Sequence, residues 1–217
     1  MSESLTLYTN PMSRGRIARW MLEEVGCSYE TVLLEYGTTM KGADYLAINP
    51  MGKVPAIRHG DTVVTEAAAI CAYLADAFPD AGLAPPSGNP RRGPYYRWMF
   101  FAAGPVEAAV TGKSLGLLAP PDKKMMAGYG SFEETIDTLE RCIGSGPYIC
   151  GDQFTAADVY VGSQIGWGMM FGSIDKRPAF TDYFGRISSR PAAVRAREID
   201  DALMPEQSRP QPQPSEA

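Results

Sequence analysis

Histidine is almost absent from this chain: 217 residues contain one, His59. Cysteine is scarce as well, with Cys27, Cys71, Cys142 and Cys150 and no C-x-x-C spacing among them. Zinc centres are built from clustered cysteine and histidine, so no metal site is expected. Scattered cysteines without a framework spacing suit a reducing compartment. Positive charge is also short, with 20 Lys and Arg against 25 Asp and Glu, and the net charge is −5. That balance argues against nucleic acid as a main partner, because phosphate binding rests on Lys/Arg clusters. It leaves room for an anionic small ligand, since a local positive site can exist on an acidic protein. No apolar run is long enough to cross a bilayer. Acidic Glu3 ahead of a short strand-like run does not read as a signal peptide. There are no internal repeats. These absences together give the expectation of a cytoplasmic protein that works without metal, membrane or nucleic acid.

What is present is ordinary for a globular chain: 45% hydrophobic and 21% charged residues, enough for one large domain or two modest ones. Leu5–Tyr8 alternates as a strand, and Asn10-Pro11 marks a turn. Ser13 then caps a helix that runs to Glu24, with Ile17, Met21 and Leu22 in its apolar stripe and Gly26 as its stop. A second strand over 28–34 completes a β-α-β unit, which implies a parallel pair. A weak helix at 42–47, a strand from Pro55, a strand at 62–65 and a helix over 66–78 follow. The segment 79–90 is dense in Pro, Gly, Asp and Ser and reads as a linker. Beyond it the pattern is helical. Residues 95–110 are aromatic and apolar with a kink at Gly104-Pro105, 132–143 are amphipathic, and Thr155 with Asp158 forms a capping box flanked by Phe154 and Val159. Asp158 is therefore read as structural. From residue 205 to 217 the chain is rich in Pro, Gln and Ser and reads as disordered.

The stretch from Asn49 to Tyr73 carries the chemistry. Lys53-Val54-Pro55 opens one short apolar run, and Thr65-Glu66-Ala67 starts a helix after the next, with His59-Gly60-Asp61 at the hairpin tip between them. Proline gives no N–H to a ladder, so Pro55 belongs at a strand start; a cis bond before it makes a tight turn that leaves the Val54 N–H and C=O free for a peptide backbone. Thr65 reads as the N-cap, with Glu66 in the first turn. A helix N-terminus attracts a carboxylate. Together these suit a small acidic peptide.

This stretch resembles the glutathione-binding half of the cytosolic glutathione S-transferases, most closely the bacterial, theta-like serine type. In that family a cis Val-Pro pairs with the cysteinyl part of glutathione, and Glu/Gln-Ser at the helix start holds the γ-glutamyl group. Val54, Pro55 and Glu66 match; Ala67 stands where the family has serine. One lost hydrogen bond to a charged group costs about 1.5–3 kcal/mol. The Thr155–Asp158 box resembles the family's capping box in its helical domain, so the likeness spans both halves. It implies an α/β plus all-α fold. A thioredoxin-like domain would occupy 1–78 and a helical-bundle domain 91–204, acting as a homodimer with glutathione as cosubstrate.

A transferase of this kind must hold its cosubstrate thiol, of pKa about 8.5, as thiolate. Depressing that pKa by about two units takes roughly 2.7 kcal/mol, within reach of one hydrogen bond to sulfur plus a helix dipole. The donor should sit after the first strand. Ser13 resembles the catalytic serine of theta-like classes, and Tyr8 the tyrosine of the alpha, mu and pi classes. Asn10 has a donor amide. Lys53, and less directly Lys41, suit the glycyl carboxylate. Arg14 and Arg16 at a helix N-terminus hint at a nearby anion or carboxylate, or simple exposure. His59 reads as exposed. Trp98, Met99, Phe101, Trp167, Met169, Met170 and Phe171 offer an apolar wall for an electrophile, although most such stripes are core. Conjugation to a small apolar electrophile is the leading expectation. A glutathione-dependent peroxidase or disulfide reductase, and a non-catalytic binding protein that keeps the fold, are the alternatives.

Overall fold

The computed structural model describes residues 4–144 and 146–206. The tail expected to be disordered falls outside them beyond residue 206.

Four strands, β1 (Leu5–Thr9), β2 (Glu30–Leu33), β3 (Ala56–His59) and β4 (Thr62–Thr65), form one mixed sheet in the order β2-β1-β3-β4. β1 and β2 are parallel, with Leu7 opposite Thr31, joined by helix α1 (Gly15–Val25) as the β-α-β pattern requires. β1 and β3 run antiparallel with Leu7 opposite Ile57, and β3 and β4 form the hairpin. Gly26 ends α1 in the left-handed conformation, φ 73°, and its N–H returns to the Leu22 carbonyl. Between β2 and β3 lie a 3-10 turn at Thr39–Lys41 and the single-turn helix α2 (Ala43–Leu46). Helix α3 (Ala67–Ala77) closes this half.

The sheet alternates as its sequence does. Leu5, Leu7 and Thr9 face α1 and α3, while Thr6 and Tyr8 face the other side. Leu7, Ile17, Met21, Ile57, Ile70 and Leu74 are all fully buried or nearly so, each contributing about 1.5–3 kcal/mol. The same core continues into the second half through Tyr95, Ala102 and Val161. A smaller cluster of Leu34, Met40, Tyr45 and Ala56 lies against Tyr8 and Val54 on the sheet's opposite face.

The second half is helical: α4 (Arg92–Phe101), α5 (Glu107–Leu115), α6 (Phe132–Ile143), α7 (Ala156–Phe171), α8 (Pro178–Ser188) and α9 (Pro191–Ala202). The expected kink at Pro105 takes the form of a π-turn, Ala102–Val106, which joins α4 to α5. α7 is buried on nearly every side and begins at the Thr155 box. The Asp158 carboxylate accepts the Thr155 N–H at 2.9 Å, the Ile149 N–H at 2.8 Å and the Tyr183 hydroxyl at 2.8 Å. Its structural reading stands on those three bonds.

α9 lies along α1 and is bound to it by ion pairs whose sense reverses between the two ends. Arg16 meets Asp201 at 2.7 Å and Arg19 meets Asp200 at 2.7 Å. Further along, Glu24 meets Arg190 at 2.7 Å and Glu23 meets Arg195 at 3.3 Å. Basic residues begin α1 and acidic ones end it, while α9 runs the other way. The Arg19–Asp200 pair is buried, with side chains 2% and 1% exposed.

Two local expectations are corrected and one left open is decided. Thr65 is the last residue of β4 and not a cap; the N-cap of α3 is Glu66. His59 is half-buried, bonded through Nδ1 to the Tyr73 hydroxyl at 3.0 Å and stacked on Phe78. The ring tucks under α3 because α3 returns across the hairpin. Arg14 and Arg16 both have carboxylate partners, Glu107 and Asp201, supplied by the helical half.

Candidate functional site

Two side chains shape the loop before β3. The Tyr45 hydroxyl and the Asn49 amide both donate to the Lys53 carbonyl, at 2.5 and 2.7 Å. Burial pushes the Tyr45 phenol up to about 12, so it stays a donor. The Val54–Pro55 peptide bond is cis. Neither the N–H nor the C=O of Val54 makes a hydrogen bond within the described residues. A free backbone edge is therefore presented beside β3, ready for an extended peptide.

The second element is the mouth of α3. Glu66 takes φ 66° and ψ 118°, and it is the one non-glycine with positive φ among the described residues. Such a conformation costs about 1–3 kcal/mol and persists where surrounding structure fixes it. Its carbonyl accepts the Ile70 N–H at 2.8 Å, which starts the helix. The N–H groups of Ala67, Ala68 and Ala69 come before that first bond, and no side chain caps them. Three unpaired donors and a positive dipole end point into one space.

That space is a cavity of about 530 Å³ between the two halves. Lys53, Val54, Pro55, Glu66 and the three alanines line one side. Tyr96, Met99, Phe100 and Ala103 of the helical half line the other, with Glu107 and Tyr160 at its polar end. Arg14 bridges the halves by pairing with Glu107. Among the described residues, no cysteine lines the cavity.

Of the residues expected from sequence, Lys53, Val54, Pro55, Glu66 and Ala67 are brought together here. Lys41 is not; its ammonium donates to the Met51 carbonyl at 3.0 Å. The three activator candidates sit just off the lining. Tyr8 packs on Tyr45 at a ring distance of 5.7 Å. Asn10 spends its amide on the Leu34 carbonyl, at 2.8 Å, and its Oδ1 accepts the Met12 N–H at 2.9 Å. The Ser13 hydroxyl donates to the Asn10 carbonyl at 2.7 Å and accepts the Gly15 N–H at 2.9 Å, shaping the turn ahead of α1; the N-cap of α1 is Arg14 and not Ser13. Of the three, only Ser13 has a rotatable hydroxyl next to Arg14, which does line the cavity.

The Ser13 turn depends on Gly15. A Cβ there would collide with Thr9 Oγ1, which is buried without a hydrogen-bond partner, and crowd Ser13 Oγ at 3.0 Å. Gly15→Ala is expected to cost about 1–3 kcal/mol, read as a lowered denaturant midpoint. Adding Thr9→Ala should recover most of it; no recovery would mean the clash lies elsewhere.

The apolar wall differs from expectation. Met99 lines the cavity, but Trp98 and Phe101 pack edge-to-face on the far side of α4. Trp167 borders a separate small cavity beneath α9, and Met169 is buried in the core. Met170 and Phe171 are exposed at the end of α7. Tyr96, Phe100, Ala103, Glu107 and Tyr160 were missed. Together with Met99, the first four follow steps of three and four from Tyr96, so fixing one residue would have fixed the face.

The model of the glutathione S-transferase N-terminal domain matches residues 3–76, and that of the C-terminal domain matches residues 108–186. A crystal structure of a glutathione transferase from Methylococcus capsulatus str. Bath superposes with a TM-score of 0.76 at 32% identity, over 92% of this chain and 100% of that one. The chain belongs to the glutathione S-transferase family. The curated glutathione S-transferase GstA of Escherichia coli O157:H7 is 29% identical over 169 residues, covering 76% of this chain and 79% of its own. A sphingomonad glutathione S-transferase complexed with glutathione is 29% identical with a TM-score of 0.72, over 90% of this chain and 98% of that one. The family fold, a thioredoxin-like sheet domain joined to an all-helical one, is the architecture described above.

Proposed function

We propose that the interdomain cavity binds glutathione and that the protein conjugates its thiolate to a small apolar electrophile. One observation carries this: the unpaired Val54 backbone edge and the uncapped mouth of α3 open into a single cavity that a helical wall completes. The cysteinyl backbone pairs with Val54. The γ-glutamyl carboxylate sits on the N–H groups of Ala67, Ala68 and Ala69, and Glu66 takes its ammonium. Lys53 holds the glycyl carboxylate. Ser13 turns its hydroxyl from the Asn10 carbonyl toward the sulfur, at the N-terminus of α1, where the dipole also favours an anion. The electrophile lies against Met99, Phe100 and Tyr96. A homodimer belongs to the same proposal; Phe100, 73% exposed, offers an apolar surface for a second copy to cover.

Titration calorimetry tests the binding half. Wild type should bind glutathione at millimolar concentration or better, and no heat would end the proposal. Ala67→Ser restores a hydroxyl at the helix mouth and should tighten binding by about tenfold to hundredfold. An unchanged Kd would move the carboxylate away from α3. A second reading is a glutathione-binding protein without turnover. It is favoured by the Ser13 hydroxyl being engaged with Asn10 and by the alanine at position 67. Binding without conjugation of any aryl halide would decide for it.

A further inference from the structure

Arginines of the helical half, Arg92, Arg177 and Arg190 among them, meet carboxylates. Arg91, Arg97 and Arg141 form no ion pair within the described residues. All three line one concavity of about 360 Å³, on a protein whose net charge is −5. It shares no lining residue with the interdomain cavity, and among the described residues no aspartate or glutamate lines it. Its walls are fixed. Arg91, Pro94 and Trp98 follow steps of three and four and share one face of α4. The Arg97 guanidinium lies 4.5 Å from the centre of the Trp98 ring, a cation–π contact that holds it beside that face. Arg141 comes from the last turn of α6. The turn at 149–151 supplies another wall. There Tyr148 and Gly151 exchange backbone hydrogen bonds at 3.0 and 3.1 Å, Asp158 accepts the Ile149 N–H at 2.8 Å, and Gly151 takes φ 92°. Trp98, Cys142, Ile149 and Cys150 are buried and form the apolar part of the lining. Burial pushes both thiols up, against the pull of Arg97 on Cys142 and of Arg91 on Cys150, so the only charges in the lining are positive.

We propose that this concavity binds a small anion carrying two linked phosphates, free or esterified. Guanidinium groups meet phosphate oxygens with paired donors. Three like charges in one concavity repel one another, and a bound anion relieves that repulsion while the acidic remainder of the protein does not reach it. A single phosphate is short for the site. Arg91 and Arg97 leave α4 about 9 Å apart along its axis, at about 1.5 Å per residue, and the Trp98 ring keeps Arg97 from swinging back toward Arg91. Two linked phosphates reach from one to the other, and Arg141 adds its charge from α6. The volume lies at the lower end of small-molecule sites, which run from about 300 to 1,000 Å³.

Titration calorimetry at low salt tests this, with inorganic pyrophosphate, ADP and inorganic phosphate as probes. Pyrophosphate or ADP should bind at least about tenfold more tightly than phosphate, and the tighter of the two tells a free group from an esterified one. Arg97→Gln and Arg141→Gln should each weaken that binding by about tenfold or more. Both side chains are exposed, so these variants should melt within about 2 °C of wild type. Lys53→Gln, which removes an ammonium from the interdomain cavity, should leave the binding unchanged. No heat from either diphosphate overturns the proposal, as does binding that Lys53→Gln abolishes and the arginine variants spare. If no diphosphate binds and the arginine variants turn a dimer into monomers in sedimentation, the arginines meet carboxylates of a second copy and the proposal falls.

Discussion

Asp200→Ala should lower the melting temperature by roughly 6–20 °C. Removing one partner of a buried ion pair costs about 3–5 kcal/mol, and each kcal/mol moves a chain of this size by about 2–4 °C. Asp200 is fully buried, and Arg19 is 1% exposed. The pair is only partly satisfied: Arg19 Nη2 and Asp200 Oδ2 make no hydrogen bond within the described residues. The guanidinium also donates to Tyr29 at 3.1 Å and Thr31 at 3.3 Å, and neither neutralises it. Without Asp200 a cation would remain in the core between α1 and α9. Replacing both partners by apolar residues, Arg19→Met with Asp200→Leu, should recover most of the loss, because it removes the desolvated charge instead of stranding it. Scanning calorimetry of the single and double variants measures both. A single variant within about 1 kcal/mol of wild type would show that the core absorbs the charge by some other route.

The largest effect on activity is expected from Ser13→Ala. If its hydroxyl holds the bound sulfur, removing it raises the thiol pKa by about one to two units, since one unit is about 1.4 kcal/mol. The sign is fixed: a higher pKa means less thiolate at a given pH. The acid limb of the pH–rate profile therefore moves to higher pH. The loss of kcat reaches about a hundredfold on the acid side and shrinks above pH ~9, where solution thiol ionises unaided. Calorimetric affinity for glutathione should change little below about pH 6, where the protonated thiol binds through the same backbone contacts, and should weaken by up to about tenfold near pH 7.5, where wild type gains from holding the thiolate. A variant profile that overlays wild type would remove Ser13 from the reaction. Attention would then pass to Tyr8, whose ring would have to leave Tyr45, or to Asn10, whose amide would have to leave the Leu34 carbonyl.

Features written in local chemistry were legible in the sequence. The alternation of Leu5 and Leu7, the β-α-β order, Val54-Pro55 at a strand start and the Thr155–Asp158 box each depend on residues a few positions apart. Glu66 was misread because nothing in a Thr-Glu-Ala run announces a left-handed residue. Glutamate gains nothing intrinsic from positive φ, and its conformation is imposed by the turn from β4 into α3. His59 looked exposed because the hairpin tip alone gives no sign that Tyr73 and Phe78 return over it. Arg14 and Arg16 hinted at partners, but those partners stand 93 and 185 positions away. Tyr160 was invisible for another reason. α7 is apolar on nearly every face, so periodicity offers no preferred side from which to pick one residue as cavity-lining.

The span between Arg19 and Asp200 has a consequence for synthesis. At about 5–20 residues per second, the ribosome makes α1 roughly ten to forty seconds before α9 emerges. During that interval the first half can form its sheet, yet its arginine has no counterion and must stay wet, which keeps α1 from seating fully. The nascent N-terminal half is thus held open until the last helix arrives, and an early stop that drops α9 yields a chain whose first domain is left unfinished as well.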